Sequence, residues 1–116
     1  MSDTLVSQMD EYPITIPQGK DWSLPLTFND SEGDPINLTG WSGHAQIRRW
    51  QGGEILLAEM TVVVDPLEGS VTLYLTPTQT RALNHHGYYD VEVTNGTDTV
   101  GLLRGPVKVV TEVTKS

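Results

Sequence analysis

The 116-residue sequence contains no cysteine, which removes disulfide staples, thiol nucleophiles and Cys-based zinc sites from consideration. Small secreted domains often depend on disulfides, so the absence favours a chain that folds inside the cell. Basic residues are few: seven Lys and Arg stand against fifteen Asp and Glu, a formal net charge of −8. Only Arg48 and Arg49 are adjacent. An acidic body without a basic stripe repels phosphate and has no counterions to release, so nucleic acid is not an expected partner. No apolar run approaches the ~20 residues of a spanning helix, so no membrane partner is expected. Met1-Ser2-Asp3-Thr4-Leu5 has neither the basic nor the apolar segment of a secretory signal. Alanine is scarce, whereas valine, leucine and threonine are plentiful, a balance that favours strands over helices.

The most informative segment that is present runs from Thr76 to Val93. Thr76-Pro77-Thr78-Gln79-Thr80-Arg81-Ala82-Leu83 reads as a short polar-capped helical turn near 77–83, ended by Asn84-His85-His86. Gly87-Tyr88-Tyr89-Asp90-Val91-Glu92-Val93 then alternates strictly, with Tyr89, Val91 and Val93 on one side. A one-turn crossover feeding a Gly-x-Tyr strand is how many immunoglobulin-like sandwiches pass between sheets, and there the tyrosine hydroxyl binds the corner backbone. Gly87 and Tyr89 are therefore the expected structural corner.

The rest of the chain repeats the strand-and-turn rhythm. Residues 1–12 are polar and acidic apart from Leu5, Val6 and Met9, and read as a flexible N-terminal arm. Pro13-Ile14-Thr15-Ile16 opens the body as an edge strand, because proline sits only at strand ends and edges. Trp22, Leu24, Leu26 and Phe28 alternate with Ser23, Pro25 and Thr27, again at an edge. Ala45 and Ile47 face inward from the next strand. Residues 55–64 read as two short strands bent at Ala58-Glu59, and Val71, Leu73 and Leu75 form an inward row. Asn95-Gly96-Thr97-Asp98 signals a hairpin. A last strand follows, with a bulge or change of partner at Gly105-Pro106. Turns at 8–12-residue spacing predict an all-β, immunoglobulin-like antiparallel sandwich of seven to nine strands over residues 13–114, with 115–116 as a tail.

Candidate chemistry is thin. His85-His86 are adjacent and point apart, and His44 is remote, so no metal is expected where zinc needs three or four ligands. Asp30-x-Glu32-x-Asp34 opens like a calcium loop, but Gly33 is misplaced and no glutamate closes it. No Gly-x-Ser-x-Gly elbow or glycine-rich phosphate cradle exists. No enzyme activity and no cofactor are expected. Among the three tryptophans, Trp22 belongs to the core and Trp41 to one end of the body. Trp50 follows Arg48 and Arg49 and leads into the Gln51-Gly52-Gly53 turn. That grouping suits a protein interface, a sugar platform shared with Tyr74, or packing on its own hairpin.

Three strings carry a resemblance: Ile14 through Trp22, Leu24-Pro25-Leu26-Thr27-Phe28-Asn29-Asp30, and Gly33-Asp34-Pro35-Ile36-Asn37-Leu38-Thr39-Gly40-Trp41. With Ala45-Gln46-Ile47-Arg48, the Leu75 to Leu83 turn, the Gly87-Tyr88-Tyr89 strand and Leu102 to Val109, the series resembles small structural proteins of tailed bacteriophages. It is similar in style to the N-terminal domain of phage baseplate upper proteins. The resemblance implies a virion component, made in the bacterial host cytoplasm and present in multiple copies. Its partners would be other virion proteins of the tail, neck, baseplate or capsid. A tail, neck or baseplate adaptor is the leading expectation. A head-decoration protein is the second, and a carbohydrate-binding module the third. The contacts expected are Leu5, Val6 and Met9 on the arm, and Arg48, Arg49 and Trp50 on the body.

Overall fold

Wherever an alternating run is bounded by turn formers, the chain extends and pairs. The computed structural model describes residues 10–111. Eight strands and one short helix follow in order: β1 (Asp10–Glu11), β2 (Ile14–Pro17), β3 (Trp22–Thr27), β4 (Ser42–Arg48), β5 (Leu56–Asp65), β6 (Ser70–Leu75), α1 (Pro77–Ala82), β7 (Gly87–Thr94) and β8 (Thr99–Val110). The fold is all-β, as the sequence predicts. Neighbours run β1-β8-β7-β4-β5-β6-β3, and β2 also joins β8.

One strand turns this path back over its own core. The first half of β5 pairs with β4, through Ala45 opposite Met60, and the second half pairs with β6, from Thr61 to Asp65. The two short strands expected over 55–64 are thus one continuous strand, which changes partner two residues beyond the expected bend. Gly43 makes room for the change. A Cβ there would lie 2.2 Å from Cγ1 of Val62, so the missing side chain is the space that Val62 fills. The inward rows of both halves then meet: Ala45, Ile47, Tyr89, Val91 and Val93 from one side, Val71, Leu73 and Leu75 from the other. Each is 2% exposed or less, so burying them supplies much of the driving force. Trp22 and Trp41 are partly buried against that cluster.

The helix forms for reasons written in its first four residues. The Thr76 hydroxyl accepts from the Gln79 N–H, the Gln79 side chain accepts from the Thr76 N–H, and Pro77 sits where a missing N–H costs nothing. Thr80 is fully buried and donates to the Lys20 carbonyl at 2.8 Å, which ties the helix to the turn after β2.

Two expectations need correction. The sheet is not wholly antiparallel, because β1 and β2 both run parallel to β8. The N-terminal segment enters along a sheet edge that the chain's last strand already occupies, without a hairpin to reverse it. The arm boundary also moves. Residues 10–12 belong to the body: Asp10 and Glu11 pair with Leu103 and Arg104, and the Tyr12 N–H donates to the Arg104 carbonyl at 2.8 Å. At Gly105-Pro106 the outer partner of β8 changes from β1 to β2, as one of the two expected readings has it. The register shift lies earlier, at Leu102, where Val91 faces Leu103 but Glu92 faces Gly101.

Candidate docking site

Cross-strand register builds one polar wall. On the face of β4, β7 and β8 turned away from the core, Gln46, Asp90 and Arg104 form one row. Arg48, Tyr88 and Pro106 form the next. Between them lies the inward row of Ile47, Tyr89 and Gly105. Trp50 stands just past the end of β4, and with Gln46, Arg48, Tyr88, Asp90 and Arg104 it lines an open hollow of about 200 Å³.

Each side chain has a definite hydrogen-bond state. Arg48 donates from Nη2 to the Gln46 amide oxygen at 2.6 Å and from Nη1 to the Glu54 carbonyl at 3.3 Å. Arg49 donates to the His86 carbonyl at 2.9 Å and sets its guanidinium 5.1 Å from the Trp50 ring centroid, within cation–π range. The indole remains 58% exposed. Tyr88 donates its hydroxyl to the Glu11 carboxylate. That bond holds the phenol pKa above its ordinary value, with desolvation and the Glu11 charge adding to it and Arg104 opposing. Arg104 is different. Its Nε lies out of water without an acceptor. A buried donor left unpaired costs about 1–3 kcal/mol, so this atom is a local strain in the wall.

Beneath the wall, Tyr89 fastens the N-terminal segment. Its ring is 1% exposed and its hydroxyl donates to the Tyr12 carbonyl at 2.7 Å. The hydroxyl is thus bonded to backbone, but not to the corner where the sequence places it. The carbonyl belongs to a segment 77 residues away, not to the turn before β7. Burial chiefly, and then Tyr12 and Glu11, push the Tyr89 pKa well above its usual value. An unfolded tyrosine ionises near pH 10 whereas the folded one stays protonated. The stabilisation is complete below about pH 10 and is lost as pH rises past it. Thermal melts at pH 8 to 11 are expected to show the melting temperature falling above pH 10. In Tyr89→Phe the fall should be smaller, and stability at pH 8 lower by about 1–3 kcal/mol, because the Tyr12 carbonyl loses its partner.

The expected contact residues divide. Arg48, Arg49 and Trp50 come together at this corner, whereas Leu5, Val6 and Met9 lie outside the described residues. Gly87 starts β7 against β4, its missing side chain leaving space 2.4 Å from the Arg48 carbonyl. Tyr74 is 43% exposed on β6, which pairs with β3 and β5, and it does not line the hollow beside Trp50. The Asp30 carboxylate accepts from the N–H groups of Glu32 and Asp34, so it organises its own turn. Among the described residues no cluster of three or more His, Asp or Glu could hold a metal ion, and no helix is long and apolar enough to cross a membrane. Sequence reading passed over Gln46, Tyr88, Asp90 and Arg104. The parity of Gln46, Tyr88 and Asp90 on the polar side of their strands was visible, but their meeting with Arg104 depends on register across three strands.

No protein-family model matches the chain, and no curated protein matches it in sequence.

Proposed function

We propose that the chain is a non-enzymatic structural component of a tailed-bacteriophage virion, a tail, neck or baseplate adaptor that docks other virion proteins. The observation that carries the reading is the exposed corner where Arg49 lies over Trp50 beside Arg48. Tryptophan and arginine are the residues that most often dominate a protein interface, and an indole left 58% exposed on so small a domain is a contact in waiting. The family resemblance of residues 13–114 supplies the setting. In a particle, many copies add avidity, so a modest single contact suffices. A second support is the N-terminal entry. Residues 10–11 and 14–17 pair with β8 and run along a sheet edge.

Purified particles tested with antibody against the chain, followed by a particle reconstruction, check the reading. The expected result is the domain in intact virions, with density at the tail, neck or baseplate. Density on the head would reassign it to capsid decoration. Absence from particles would end the virion reading. Trp50→Ala is expected to lower incorporation about tenfold or more while the melting temperature stays within a few degrees, since the side chain is largely in water.

A further inference from the structure

We infer that the hollow between β4, β7 and β8 binds a carboxylate carried by an acidic segment of a partner polypeptide, with an apolar residue beside it; this rests on the adaptor reading. The hydrogen-bond inventory carries it. A guanidinium only donates, so Gln46 must turn its amide oxygen to Arg48, and the 2.6 Å contact uses that oxygen. What Gln46 has left is its NH2. Tyr88 has given its one hydrogen to Glu11. Arg104 lines the hollow, and among the described residues its guanidinium makes no hydrogen bond or ion pair. What Gln46 and the two arginines have left is therefore donors, whereas Tyr88 and Asp90 keep acceptor oxygens. The ligand group that only accepts, and that suits a guanidinium best, is an ionised carboxylate.

The remaining charges are consistent with a guest of this kind. Asp90 stands directly across from Arg104, yet among the described residues the two form no ion pair. Glu11 lies opposite Arg104 on β1 and is occupied by Tyr88. Two arginines thus face one carboxylate inside the lining, on a chain whose net charge is −8. A neutral sugar would need several acceptors for its hydroxyl hydrogens, and Asp90 is the one carboxylate that lines the hollow. The indole of Trp50 offers an apolar flank for the residue next to the bound carboxylate.

The test uses the whole ¹⁵N-labelled chain. It is titrated with a synthetic peptide alternating glutamate and leucine, with the glutamine version of that peptide, and with a linear glucose oligomer. The readout is the indole N–H signal of Trp50, identified by its loss in Trp50→Phe. The glutamate peptide should shift that signal saturably, and the glutamine version should bind about tenfold more weakly. Arg104→Lys keeps the charge but not the guanidinium fork, and should weaken binding about tenfold with its melting temperature nearly unchanged. Asp90→Asn should tighten it. Equal binding of the two peptides, or full binding by Arg104→Lys, overturns the proposal, and so does a response to the sugar alone. If the chain enters particles but ignores the glutamate peptide, the adaptor reading stands and the carboxylate site falls. If it binds the peptide but is missing from particles, the reverse holds.

Discussion

Gly105→Ala is expected to lower the melting temperature by roughly 10 °C, which for a domain of this size is about 3 kcal/mol. A Cβ at position 105 would lie 2.6 Å from the carbonyl oxygen of Tyr12 and 2.8 Å from its carbonyl carbon. Both atoms are backbone, so neither can rotate away. The segment from Glu11 to Pro13 must lift off β8. Three bonds would weaken together: the Tyr12 N–H to the Arg104 carbonyl, the Tyr89 hydroxyl to the Tyr12 carbonyl, and the Tyr88 hydroxyl to Glu11. The substitution also reaches the polar wall, because Tyr88 would regain a free hydroxyl hydrogen and Glu11 would move relative to Arg104. Chemical denaturation measures the loss. Amide exchange should show Tyr12 losing protection while the core strands β4 and β6 keep theirs. A melting temperature within about 2 °C of the parent would show that the N-terminal segment adds little to the fold.

The strands were legible because their signal is local. Val71-x-Leu73-x-Leu75 and Tyr89-x-Val91-x-Val93 alternate without interruption, and their inward residues are buried. Thr76 and Gln79 stand three residues apart before Thr80, and the helix starts there. Parallel entry was not legible, since nothing in Ile14-Thr15-Ile16 says which neighbour it meets or in which direction. The same limit hid the wall. Asp90 and Arg104 are fourteen positions apart, and they face each other only because Leu102 is an extra residue that sets the register of β8 against β7. Arg48, Arg49 and Trp50 were visible because they are consecutive. Arg104, with its unpaired Nε, was visible only as a charge beside Gly105 and Pro106.

Ile16→Ala is expected to cost about 2–5 kcal/mol, enough to lower the melting temperature by more than 10 °C. Ile16 has no exposed surface and stands on β2 opposite Val109. Its neighbour Ile14 is 5% exposed, and both belong to the common core. Removing three methyl or methylene carbons leaves a void between an edge strand and the layer beneath. An edge strand held on one side can relax into that void only by leaving β8. Thr15→Ala, on the exposed side of the same strand, is the control and should change stability by less than about 0.5 kcal/mol. The contrast separates two accounts of the N-terminal segment. If it is an appendage laid on a finished domain, both substitutions should be nearly silent. If it completes the core, as its two buried isoleucines indicate, Ile16→Ala should unfold the domain cooperatively at lower denaturant. Glu11, three residues before β2 on β1, would then release Tyr88 in the same transition, so the polar wall would depend on the packing of the whole N-terminal segment.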